Sequence, residues 1–212
     1  MRGPKIPRLA FALASYRPRA SSRKTATRNL ATRIIWGFGF MPKDLRDEIF
    51  ELIYSKNRTE EAILKLNGII KSSPENSRAL ALKAYALDKL ANLRKEWNYS
   101  RLGLENAERA LALNPDDDLA LTSKGWALID LGRASEAVEP LKTATLTNPG
   151  NEYAWYNLAW AQYLTGNAQA SSHSMGKALE INPNNPILRR GKDMMARGWV
   201  PPHLRRRGSA PA

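Results

Sequence analysis

The chain has no cysteine and only two histidines in 212 residues. The first absence excludes disulfides, thiolate metal sites and thiol nucleophiles together. The second leaves too few imidazoles for a histidine metal set or a Ser-His-Asp triad, with His173 read as a surface or packing residue and His203 in the C-terminal tail. Long apolar runs are missing too. Residues 34–42, IIWGFGFMP, fall far short of the roughly 20 residues that a spanning helix needs, and no GKS/T or GxGxxG pattern follows the GFG. Acid is absent from residues 1–43, which carry ten Lys or Arg. Residues 44–185 hold 16 basic against 19 acidic side chains and residues 186–212 seven against one, so the excess charge of +13 lies in the two ends.

What is present is a period. Residues 151–183, NEYAWYNLAWAQYLTGNAQASSHSMGKALEINP, read as two helices around a turn at Gly166 and Asn167, with Asn182 and Pro183 as the stop. Small residues at Ala159, Ser171 and Ala178 let the two backbones approach, and Trp155, Leu158 and Met175 fill the space between. Such a hairpin cannot hide its apolar surface alone. Pro149, Ala137 and Gly125 lie 34 residues before Pro183, Ser171 and Ala159; Pro115 and Gly103 lie 34 earlier again, and Pro74 and Ala62 a further 41. A fixed spacing of this size marks a stacked array.

These residues resemble the tetratricopeptide repeat family, most closely at Trp155, Leu158, Ala159, Ser171, Ala178 and Pro183. The resemblance implies an all-α fold, a right-handed α-solenoid of about four helical hairpins over residues 43–185, divided 43–76, 77–117, 118–151 and 152–185. The second repeat carries about seven additional residues, 92–98, expected to lengthen each arm of its hairpin by one helical turn. Asn185 and Pro186 open a capping helix over 186–197, whose Ile187, Leu188, Met194 and Met195 share one face. Residues 1–42 and 198–212 are expected to be flexible basic tails. The Arg- and Ser-rich start fits an organelle transit peptide, a basic arm for RNA or anionic lipid, or a solvated extension. Residues 34–42 fit a cap on the first repeat, an interfacial membrane contact or an occupant of the solenoid's own groove.

No catalytic constellation stands out, and an enzyme, a metal site or a cofactor is not expected. Asp116, Asp117 and Asp118 sit where an acid caps the next helix. In proteins with this repeat, the first helices line a concave groove that binds peptide segments. The resemblance therefore places Tyr85, Trp126 and Trp160 at one equivalent position, flanked by Ile129, Tyr153, Tyr156, Asn157 and Tyr163, as an aromatic groove. Asp44, Asp47, Glu48 and Glu51 would make its first end acidic. The carboxylate-gripping pattern of some family members is absent, since Ala81, Tyr85, Ser123, Tyr153 and Asn157 hold the corresponding places. Two functions remain: an adaptor or assembly factor binding a protein or peptide, or an RNA- or ribosome-associated subunit whose Arg17, Arg19, Arg23, Lys24, Arg205, Arg206 and Arg207 contact phosphate. The expected location is cytoplasmic by default, with mitochondrial or other organelle targeting as the alternative that the N-terminus suits.

Overall fold

The structure is a computed structural model that describes residues 43–54 and 58–205. Its helices are α1 (Lys43–Tyr54), α2 (Thr59–Ser72), α3 (Ser77–Arg94), α4 (Asn98–Leu113), α5 (Asp118–Asp130), α6 (Ala134–Thr147), α7 (Glu152–Leu164), α8 (Ala168–Ile181) and α9 (Pro186–Ala196), followed by a 3-10 turn, Pro202–Leu204. Among the described residues there is no strand. The expectations for residues 1–42, and for Arg206 and Arg207, lie outside the described residues.

Odd-numbered and even-numbered helices differ in composition, and the difference builds the array. Helices α3, α5 and α7 are buried on nearly every side: α5 buries Leu119, Ala120, Leu121, Thr122, Ser123, Gly125, Ala127, Leu128, Ile129 and Asp130. Their partners bury one stripe, as α6 does with Ala137, Leu141, Ala144 and Thr145. A helix apolar all round needs neighbours all round, so each of the three packs against its own partner, the preceding hairpin and an odd-numbered neighbour. Small residues set the spacing. A Cβ on Gly125 would stand 2.3 Å from Leu141 Cγ, and one on Gly103 2.5 Å from Asp88 Oδ1. In the fourth repeat the hydroxyl of Ser171 donates to the carbonyl of Ala159 at 2.9 Å.

From α3 onward each odd helix starts on a side-chain cap, and the caps follow the repeat. Asn76, Asp117, Asn151 and Asn185 accept from Ala79, Ala120, Ala154 and Ile187 N–H groups respectively. Three of these caps also reach back one repeat. Arg78 donates to Asp117 at 3.3 Å, Asn151 Nδ2 to Asp118 at 3.2 Å, and Asn185 Nδ2 to the Tyr153 hydroxyl at 3.4 Å. One residue therefore begins a helix and registers two hairpins. Between the arms of a hairpin the chain turns through left-handed backbone at Gly132 (φ 75) and Gly166 (φ 84), where a side chain would be strained.

The second repeat departs from the even split expected of its extra residues. Helix α3 has 18 residues against 13 in α5 and α7, whereas α4 has 16 against 14 in α6 and α8. The first arm takes most of the length because α3 runs on along α5, where Asn92 Nδ2 donates to Asp130 at 2.9 Å. Lys95 (φ 59) then makes the left-handed turn that glycine makes in the later repeats, and Trp97 precedes α4. Residues 198–205 form the second departure, since they do not trail away from the solenoid. Gly198 (φ 67) turns the chain, and Trp199 and Leu204 pack onto the core formed by Leu128, Leu141, Leu158 and Trp160. The side chains in this stretch include a tryptophan, a valine, two prolines and a leucine, and their apolar surface favours burial over hydration.

Candidate functional site

The residues expected in the groove fall into two aromatic clusters. Tyr85 meets Phe50 at 5.8 Å, Tyr54 at 6.2 Å and Trp126 at 5.9 Å between ring centroids. Trp160 meets Tyr156 at 6.3 Å, Tyr163 at 5.7 Å and Trp199 at 6.2 Å. Most of these pairs are edge-to-face, the geometry that the ring quadrupole favours. Tyr85, Ile129, Asn157 and Trp160 are buried, while Trp126, Tyr153, Tyr156 and Tyr163 stay half-buried. The equivalent positions thus divide into residues that join repeats and residues that show a face.

Tyr54, on α1, is 45% exposed. Its phenol is held above the usual range by burial first, then by Tyr153 and by the Glu152 charge. Those two residues begin α7. Lys89 Nζ lies 5.0 Å from the centre of the Tyr54 ring, a cation–π contact, and burial lowers its pKa. Of the four acids expected at the first end, Glu48 forms an ion pair with Lys65 on α2, and Lys89 lies over the Tyr54 ring. At the opposite end Arg190, Asp193, Met194, Arg197 and Trp199 line an open hollow of about 320 Å³.

Beneath the aromatic row lies a pair of carboxylates that the sequence pattern did not single out. Asp88 is wholly buried under Gly103, and neither of its oxygens has a hydrogen-bond partner among the described residues. Burial, reinforced by Asp130, holds its carboxyl well above the usual carboxylate range. Asp130 accepts from Asn92 at 2.9 Å and Ser100 at 3.3 Å. Burial pushes it up to about 7, against the opposing pull of Ser100, Asn92, Lys95 and Trp126. Among the described residues no group of three or more His, Cys, Asp or Glu could hold a metal ion.

His173 lines a separate cleft of about 600 Å³ with Lys142, Leu146, Trp155 and Gln162. The second histidine, His203, stacks on Trp97 with ring centroids 3.8 Å apart. Burial and the neighbouring Lys95 lower its pKa, which favours the neutral ring. Arg205, expected to contact phosphate, donates from Nε to the carbonyl of Val200 at 3.0 Å and remains exposed. Tryptophan in an inserted turn, and tryptophan with a Pro-Pro pair in a basic tail, are the signals by which Trp97 and Trp199 stand out in the sequence. Neither signal says that the two segments meet.

A row of helical hairpins joined by shared caps is a repeat scaffold. Residues 100–152 and 122–186 match the tetratricopeptide repeat model, so that part of the chain carries the repeat of that family. Its members are in general protein-interaction scaffolds without catalytic activity. No curated protein matches the chain. Solved structures with this fold include TTC0263, a thermophilic repeat protein of Thermus thermophilus, 18% identical, TM-score 0.60, over 89% of this chain and 94% of its own. Another is MamA 41-end from Desulfovibrio magneticus RS-1, 20% identical, TM-score 0.54, over 74% and 84%. A MamA RS-1 ArsTM double mutant is 18% identical with TM-score 0.55 over 74% and 83%. At these identities the likeness is one of fold.

Among the described residues no helix is long and apolar enough to cross a membrane.

Proposed function

We propose that this protein is a non-enzymatic adaptor or assembly factor that holds an extended or helical segment of a protein partner on its inner face. The observation behind this reading is the set of half-buried aromatics, Trp126, Tyr153, Tyr156 and Tyr163, on helices otherwise buried nearly all round. An aromatic side chain with one free face offers a partner large contact area at small entropic cost. Lys89 adds positive charge beside Tyr54 at the first end of the surface, and Arg190 and Arg197 make the last end basic.

Affinity capture with the intact chain beside a Tyr153→Ala, Tyr163→Ala variant tests this reading. Both positions are part-exposed, so the fold should survive, with circular dichroism as the control. A protein partner that persists through nuclease treatment and drops at least tenfold with the variant is the expected outcome. Partners that vanish with nuclease and ignore both substitutions would instead favour the Arg-rich ends as an RNA contact, the reading that the charge imbalance of the sequence supports.

A further inference from the structure

The seven additional residues of the second repeat and the C-terminal stretch 198–205 meet in space. Trp199 sits edge-on against Trp160 on α7, and His203 stacks on Trp97 in the extended α3–α4 turn. Leu204 Cδ2 lies over Gly132, 3.7 Å from where a Cβ would stand. The stretch therefore spans the fourth, third and second repeats. Its anchors are side chains. Among the described residues its backbone hydrogen bonds close within itself, Leu204 N to Pro201 O at 2.9 Å and Arg205 N to Pro202 O at 3.4 Å, or onto α9, Trp199 N to Met194 O at 2.9 Å.

A segment seated through side chains and not woven into the helices can be exchanged for another that carries the same side chains. We propose that the track formed by Trp160, Gly132 and Trp97 is a docking site for an extended segment of a partner protein. Such a segment presents an aromatic residue, a Pro-Pro pair and then a leucine, and the chain's own residues 198–205 fill the track until that partner displaces them. Three features fit this use. The prolines pre-set the backbone of any occupant, so little conformational freedom is lost on docking. Gly198, in left-handed backbone, is a hinge at which the stretch can swing away from α9. The seat for the ring at position 203 is the tryptophan of the inserted turn, so the added length has a binding role.

This inference rests on the adaptor reading and names the class of segment recognised, but its test is independent of the capture experiment. A fluorescently labelled peptide of residues 198–205 is titrated into the full chain and into a full chain carrying Trp199→Ala and Leu204→Ala, which loosens the internal occupant. Saturable binding to the variant, at least tenfold tighter than to the intact chain, is expected because a tethered occupant competes at high effective concentration. Adding Trp97→Ser to the variant should abolish that binding. No binding to a variant with unchanged helical circular dichroism, or equal binding to both chains, would overturn the proposal. If the double variant fails to fold, Leu204→Ser alone serves for the same comparison. Failure of the intact chain to capture any nuclease-resistant protein, with peptide binding to the variant intact, would sink the adaptor reading and leave the track standing.

Discussion

Asp130 shows how one side chain can set a pH dependence for the whole array. Its folded pKa of about 7 lies above the ordinary 3.8, so the folded state holds the proton more tightly than the unfolded chain does. The resulting stabilisation is full below about pH 4, is lost as pH rises from about 4 to 7, and is absent above. Asp130→Asn keeps an acceptor for Asn92 or Ser100 and removes the charge. Urea unfolding should show the variant at least about 1 kcal/mol more stable than the parent at pH 8 and level with it near pH 4, a tenfold change in proton affinity being worth about 1.4 kcal/mol. Equal stability differences at both pH values would remove Asp130 as the titrating group. Nothing in the repeat pattern announces this pair. Position 88 aligns with Ile129 and Tyr163 in the later repeats, and only the approach of α3 to α5 reveals two acids in one dry space. The equivalence of Tyr85, Trp126 and Trp160 was legible from spacing. Which of them would be sealed was not, because Phe50, Tyr54 and Trp199 cover them from other elements.

At the scale of the element, spacing alone was nearly sufficient. The repeat interval located the hairpins, and the Asn and Asp caps follow it, 41 residues from Asn76 to Asp117 and 34 from there to Asn151 and to Asn185, because each starts an equivalent helix. Gly125 marks where the logic is tightest. Its place facing Leu141 admits no Cβ, so Gly125→Ala must push α6 away or force Leu141 off its rotamer, at a cost of about 1 to 3 kcal/mol despite the gain in helix propensity. Thermal unfolding followed by circular dichroism should show a lowered midpoint, and an unchanged or raised one would mean that the interface relaxes freely. The unequal lengthening of α3 and α4 could not be read from the sequence. Seven residues fit one added turn on each arm, but the actual division is decided by what each arm meets.

For the whole molecule, an array of hairpins is a one-dimensional object whose repeats exchange stability with their neighbours alone. Residues 198–205 break that rule by tying the fourth repeat to the second. The Trp199→Ala, Leu204→Ala chain should behave as an open array, fraying from its C-terminal end. Amide hydrogen exchange in α9 is expected to quicken at least tenfold while α2 is unaffected, and uniform quickening across all repeats would show general destabilisation instead. The tie has a further consequence for growth of the array. Repeat proteins lengthen by duplication, each new hairpin sliding in beside the old ones without disturbing them. Here an inserted copy would carry Trp199, His203 and Leu204 one repeat away from Trp160, Trp97 and Gly132, and the three seats could no longer be filled together. The number of hairpins between the tryptophan turn and the C-terminus is locked at its present value.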